Sequence, residues 1–79
     1  MNRVLVESSN LQSVGYESET QILEIEFKNQ SIYHYFGVPE SRFNALMSAS
    51  SKGSYLNQSI KQKFPYQLIS KQKMISKRS

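Results

Sequence analysis

The sequence contains no cysteine and no aspartate, and His34 is its one histidine. Without thiols, neither a disulfide nor a thiolate metal site can hold the fold together or serve chemistry. One histidine with neither aspartate nor cysteine rules out, within a single chain, a Ser-His-Asp triad, a thiol protease and a multi-histidine metal centre. Glycine is scarce, and Gly15, Gly37 and Gly53 stand far apart, so no glycine-rich phosphate loop can form. No apolar run reaches the roughly 18 residues that span a bilayer, and the N-terminus lacks the apolar core of a secretory signal. The expectation is a soluble, cytoplasmic protein that is not an enzyme, needs no cofactor or metal and makes no membrane contact.

Acid is also missing from the second half. Residues 1–40 carry Arg3 and Lys28 against six glutamates, a balance of −4, whereas residues 41–79 carry eight lysines and arginines and no acid, so the whole chain stands at +4. A cationic half attracts phosphate or an acidic protein surface and the acidic half repels the same partner, which puts any anionic ligand on the C-terminal part. A basic surface kept for solubility is the plainer account of the same charges. At 79 residues the chain is one domain near the lower size limit for a self-sufficient core. Marginal stability follows, and with it a tendency to form a homo-oligomer.

What is present reads first as strands. Val4-Leu5-Val6 is a short β-prone run closed by the turn-forming Glu7-Ser8-Ser9-Asn10. In the next run, Leu11–Tyr16, Val14 and Tyr16 share a face and Gly15 opposes them, marking a bulge or a close backbone approach. After a connection at Glu17-Ser18-Glu19, Thr20–Phe27 puts Leu23, Ile25 and Phe27 on one face and Glu24 and Glu26 on the other. Lys28-Asn29-Gln30 is a second tight turn, with Asn29 suited to positive φ. Along Ser31–Phe36, Tyr33 and Tyr35 share one face and Ile32, His34 and Phe36 the other.

Gly37-Val38-Pro39 then hands the chain to helices. From Pro39 to Ser50, Phe43, Leu46 and Met47 follow helical spacing, with Glu40 in the first turn where the helix dipole favours an anion. Ser50-Ser51-Lys52-Gly53 interrupts, and Ser54–Phe64 carries Leu56, Ile60 and Phe64 at four-residue steps before Pro65 stops it. The fold class is therefore α+β: a three- to four-stranded antiparallel β-meander followed by two α-helices packed on one face. Tyr66–Ile69 adds a short strand or caps the core. Residues 1–69 form the single domain, and residues 70–79 form a basic, flexible tail.

Five segments taken in order resemble the KTSC domain: Val6-Glu7-Ser8-Ser9-Asn10-Leu11; Val14-Gly15-Tyr16; Leu23–Phe27; Ile32-Tyr33-His34-Tyr35-Phe36-Gly37-Val38-Pro39; and Ala49–Lys61 with its Ser-x-x-Gly-x-Tyr-x-Asn. That family is named for a module at the C-terminus of some lysyl-transfer-RNA synthetases and also occurs as small stand-alone bacterial and phage proteins. The resemblance covers Val6–Tyr66 and implies RNA binding through that attachment. Departures are small: Glu17 stands where aspartate is expected, Leu56 where phenylalanine is usual, and Lys61 where arginine is usual. Lysine keeps the charge without arginine's planar fork.

Candidate binding residues gather around the second helix. Arg42, Ser51, Lys52, Gly53, Tyr55, Asn57 and Lys61 are the residues that could meet nucleic acid or an anion. Ser51-Lys52-Gly53 supplies backbone amides beside a cation, while Ser51 as a plain helix cap is the simpler role. Tyr55 lies about 140° from the Leu56 stripe on an ideal helix, off the core face, and Asn57 and Lys61 line one edge together. Tyr33 and Tyr35 could stack a base, although packing beneath Phe43 and Leu46 is the ordinary fate of such rings. Glu24 and Glu26 form a solvated outer face rather than an acid-base site, and His34 joins them there if the tyrosines face inward. The expected function is a small non-catalytic binding module for RNA, DNA or a nucleotide-like anion. The alternative partner is a protein, as for a phage or prophage accessory protein that binds or inhibits a host factor.

Overall fold

A computed structural model describes residues 3–71. Its strands are β1 (Arg3–Leu5), β2 (Leu11–Glu17), β3 (Ile22–Phe27), β4 (Ser31–Tyr35) and β5 (Tyr66–Lys71). Helix α1 (Glu40–Ser48) and the single turn α2 (Lys52–Tyr55), which continues as a π-helical segment Leu56–Ile60, lie between β4 and β5. All strand pairs are antiparallel, and the five strands follow chain order across the sheet.

The α+β class stands, but a meander of three or four strands with the helices last does not. The helical segment is an excursion from which the chain returns to complete the sheet. The sign of this in the sequence is weak, because β5 pairs with a strand separated from it by the whole helical segment and every one of its residues is exposed. Ser70 and Lys71, assigned from the sequence to the basic tail, pair with Ile32 and Ser31; the rest of that tail lies outside the described residues.

Alternation along β3 explains the core. Leu23 and Ile25 are fully buried, joined from the sheet by Leu11, Val14 and Tyr35 and from the covering segment by Val38, Leu46, Leu56 and Ile60. Leu11 reaches this face only because the register shifts: Leu11 opposes Phe27, yet Ser13 opposes Glu26, leaving Gln12 as an extra residue. One added residue reverses the parity of everything before it, so Leu11 turns inward beside Val14. The bulge, one of the two readings of Gly15, is thus at Gln12. Gly15 instead stands between Arg3 and Glu24 in the cross-strand row, and its missing side chain leaves room for Arg3 Nη1 to reach Glu24 Oε2 at 2.9 Å.

The turn after β4 is pinned from two sides. Val38 N–H donates to Gln21 O at 3.0 Å, and the Tyr16 hydroxyl donates to Val38 O. Gly37 takes φ of +73°, a conformation glycine enters without strain. Pro39 remains extended and α1 begins at Glu40, so proline precedes the helix rather than opening its first turn. In the β3–β4 turn the positive φ falls on Gln30, at 73°, while Asn29 Oδ1 accepts the Ser31 N–H at 3.0 Å. Phe43 stacks on Tyr16 with centroids 4.9 Å apart. Its ring pairs with neither of the β4 tyrosines. Tyr33 meets Phe27, Tyr35 and Tyr66 instead, because β5 brings its own ring to that end of the face.

In the second helix the Lys61 N–H bonds to Leu56 O at 2.8 Å, the wider i to i+5 closure. A regular α-helix drifts by about 40° at each four-residue step. One wide turn offsets part of that drift and keeps Leu56 and Ile60 both buried. No helix among the described residues is long and apolar enough to cross a membrane.

Two outcomes test this packing. Leu46→Ala removes the one fully buried side chain of α1, and chemical denaturation is expected to show a loss of about 2–5 kcal/mol. Burial, and then the neighbouring Tyr33 and Tyr66, push the Tyr35 hydroxyl up to about 12. The unfolded chain releases that proton at about pH 10, so stability falls as pH rises from about 10 toward 12. Tyr35→Phe is expected to flatten that part of the decline. It is also expected to raise stability at neutral pH by about 1 kcal/mol, since the buried Tyr35 hydroxyl has no hydrogen-bonding partner among the described residues.

Candidate functional site

The two faces of the sheet differ in chemistry. On the outer face Glu24 is held by Arg3 at 2.9 Å and by His34 Nε2 at 2.7 Å, and Glu26 accepts from Ser13 Oγ at 2.7 Å. These carboxylates are paired with one another's neighbours in a cross-strand row, as the side-chain parity of β3 and β4 requires. No group of three or more histidines or acids among the described residues gathers to hold a metal.

Beyond the opposite, helix-covered face lie two adjoining grooves. The first, of about 330 Å³, is lined by Ser9, Asn10 and Leu11, by Phe27, Lys28 and Asn29, and by Gly53, Leu56, Asn57 and Lys61. Three segments meet there: the end of the β1–β2 loop, the β3–β4 turn and the second helix. Ser8 Oγ accepts from the N–H groups of Asn10 and Leu11, both at 3.2 Å, and Asn10 O accepts from Lys28 N–H at 2.9 Å. The loop thus presented lies so near the helix that a Cβ on Gly53 would sit 3.4 Å from Asn10 Nδ2.

The second groove, of about 230 Å³, is lined by Phe27, Asn29, Ser31, Tyr33, Tyr35, Lys61 and Tyr66. Phe27, Asn29 and Lys61 border both grooves. Neither lining contains a carboxylate. Glu17 closes β2 at the β2–β3 connection, opposite Ile22 and so about 17 Å along the hairpin from Phe27 at 3.3 Å per residue. Glu40 acts on Tyr16 near that same acidic end, where burial first and then Glu40 push the Tyr16 hydroxyl up. Glu7 is exposed and borders neither groove.

Of the residues singled out from the sequence, Gly53, Asn57 and Lys61 come together in the first groove, and Tyr33 and Tyr35 meet Lys61 in the second. Arg42 lies on α1 and borders neither. Lys52 directs its ammonium to Ala49 O at 3.3 Å, and Ser51 Oγ donates to Ser54 Oγ rather than capping a backbone amide. The helix starts at Lys52, earlier than the periodicity indicates, and Tyr55 packs half-buried against the core instead of off it. Asn10, Lys28, Asn29 and Tyr66 were not singled out. The only signal for the first three was turn chemistry, in Ser-Ser-Asn and Lys-Asn-Gln, which says where the chain reverses and not which reversals end side by side.

Comparison with known proteins places this arrangement. Residues 7–64 match the KTSC domain. A protein of Stutzerimonas stutzeri is 46% identical over 61 residues, covering 77% of this chain and 86% of that one. The lysine–tRNA ligase of Nostoc punctiforme is 44% identical over 64 residues, which are 81% of this chain and 11% of the ligase. The crystal structure of a KTSC domain protein from Yersinia pestis superposes with a TM-score of 0.84 at 42% identity, covering 87% of this chain and 97% of that one. The match to the domain spans β2, β3, β4 and the helical segment, up to the approach to β5, and the chain belongs to the KTSC domain family.

Proposed function

We propose that the chain is a non-catalytic binding module that holds RNA, DNA or a nucleotide-like anion at the paired grooves. The observation that carries this reading is the first groove: Lys28 and Lys61 border it with asparagine and serine side chains, and no carboxylate stands in the lining. A concave site with one sign of charge concentrates ions of the other sign. The arginine–glutamate pairing on the outer face supports the same division, since the sheet's acids are neutralised away from the groove. The likeness to part of a lysine–tRNA ligase favours a nucleic acid among anions and goes with a cytoplasmic setting.

A second reading, a protein partner or a second copy of the chain, is favoured by the sheet's two edges. Val4 and Leu5 are 56% and 74% exposed on β1, and Tyr66, Leu68 and Ile69 are 53%, 46% and 46% exposed on β5. Unpaired, apolar edge strands invite pairing with another chain. Retention of a specific protein from bacterial lysate after nuclease treatment would favour this reading over the first.

Fluorescence anisotropy with short labelled RNA and single-stranded DNA tests the proposal. Affinity is expected to fall with added salt, with a logarithmic slope of about −0.7 per phosphate neutralised, and Lys61→Ala is expected to make that slope shallower by about 0.7. Absence of association by the wild-type chain at low salt would overturn it.

A further inference from the structure

Resting on the nucleic-acid reading above, we propose that the two grooves divide one nucleotide of a single strand between them: its base enters the tyrosine-lined groove, its phosphate lies beside Lys28 and Lys61, and the Tyr35 hydroxyl hydrogen-bonds the base. The site selects an unstacked nucleotide over a duplex.

Continuity is the first support. Phe27, Asn29 and Lys61 border both grooves, so a ligand can pass from one into the other with Lys61 at the join. The chemistry then changes from one groove to the other as it changes along a nucleotide. The first is bordered by lysines and amides, whereas the second carries the rings of Phe27, Tyr33, Tyr35 and Tyr66, with centroid separations from Tyr33 of 5.6, 6.4 and 5.7 Å respectively. At about 230 Å³ the second groove is smaller than the roughly 300–1,000 Å³ of a drug-sized site, which suits one flat ring and not a stacked pair.

Tyr35 supplies the independent observation. It is 0% exposed, borders the second groove, and its hydroxyl is buried with no hydrogen-bonding partner among the described residues. Buried hydroxyls are ordinarily bonded, and one left without a partner beside a recess calls for a ligand atom. Every nucleobase carries a carbonyl oxygen or ring nitrogen on its edge that can accept from it. A tyrosine hydroxyl is protonated at neutral pH, as donation requires. Tyr66, whose ring centroid is 5.7 Å from that of Tyr35, borders the same groove and is 53% exposed on edge strand β5, so its ring can adjust to a base. A base paired and stacked within a duplex would first have to be extruded to enter.

Anisotropy titrations of the full chain at low salt decide this with three probes: a labelled tetraribonucleotide, an abasic strand of equal phosphate count, and a short duplex. The tetranucleotide is expected to bind at least tenfold tighter than either of the others. Tyr35→Phe is expected to weaken the tetranucleotide about two- to tenfold, the range of one hydrogen bond, and to leave the abasic strand unchanged. Tyr66→Ala, at an exposed position, is expected to weaken the tetranucleotide about fivefold or more by loss of a stacking face. Lys61→Ala should weaken all three probes. Melting curves confirm that each variant is folded. Equal binding of tetranucleotide and abasic strand, or a Tyr35→Phe variant that binds the tetranucleotide as well as the wild type does, overturns the divided-nucleotide proposal and leaves the wider anion-binding reading standing. Failure of all three probes to bind removes both.

Discussion

One apolar sheet face must be kept from water, and the rest of the molecule follows from how that is done. A sheet this small cannot stay folded with Leu23 and Ile25 exposed, and a helical segment laid across it is the compact solution. Val38, Leu46, Leu56 and Ile60 supply the cover, and each comes from the segment between β4 and β5. Because the chain must leave the sheet to make this roof and return to finish it, the second helix is brought over the turn end of β3 and β4. The grooves are the seam left where the roof meets the loops at that end.

The outer face is the counterpart of that arrangement. Covering one side leaves the alternate residues Glu24, Glu26 and His34 on the other, where Arg3 reaches across the bare backbone of Gly15 to pair with the carboxylates. The acids of β3 are thus satisfied locally, and the seam is bordered by Lys28 and Lys61 alone among charged residues. The charge asymmetry between the two halves of the chain therefore becomes an asymmetry between faces and ends of the folded molecule.

Much of the fold was legible in the sequence, since strand parity is a local property. The inward set Leu23, Ile25 and Tyr35, the outward set Glu24, Glu26 and His34, and the helical stripes through Leu46 and through Leu56 and Ile60 all stand. Features that depend on partners distant in sequence did not show. Gln12 looks like any polar strand residue, and only the pairing of Leu11 with Phe27 reveals it as the inserted one. Strand β5 has an exposed, mixed pattern because it is an edge, so its alternation was weak. Tyr55 was misplaced because the helix widens over Leu56–Ile60, a change of winding that leaves no mark in the periodicity. Half of the candidate site was visible for the same reason: Gly53, Asn57 and Lys61 share one helix, whereas Asn10, Lys28 and Asn29 join them only through loop docking.

The account's central claim is that the seam between roof and loops is where an anionic partner sits. Amide chemical-shift mapping of the labelled chain with a short RNA tests it most directly. The account predicts changes concentrated at Asn10, Lys28, Asn29, Gly53, Asn57 and Lys61, with the outer-face residues Glu24, Glu26 and His34 unmoved. Changes centred on that outer face, or none anywhere at low salt, would contradict it.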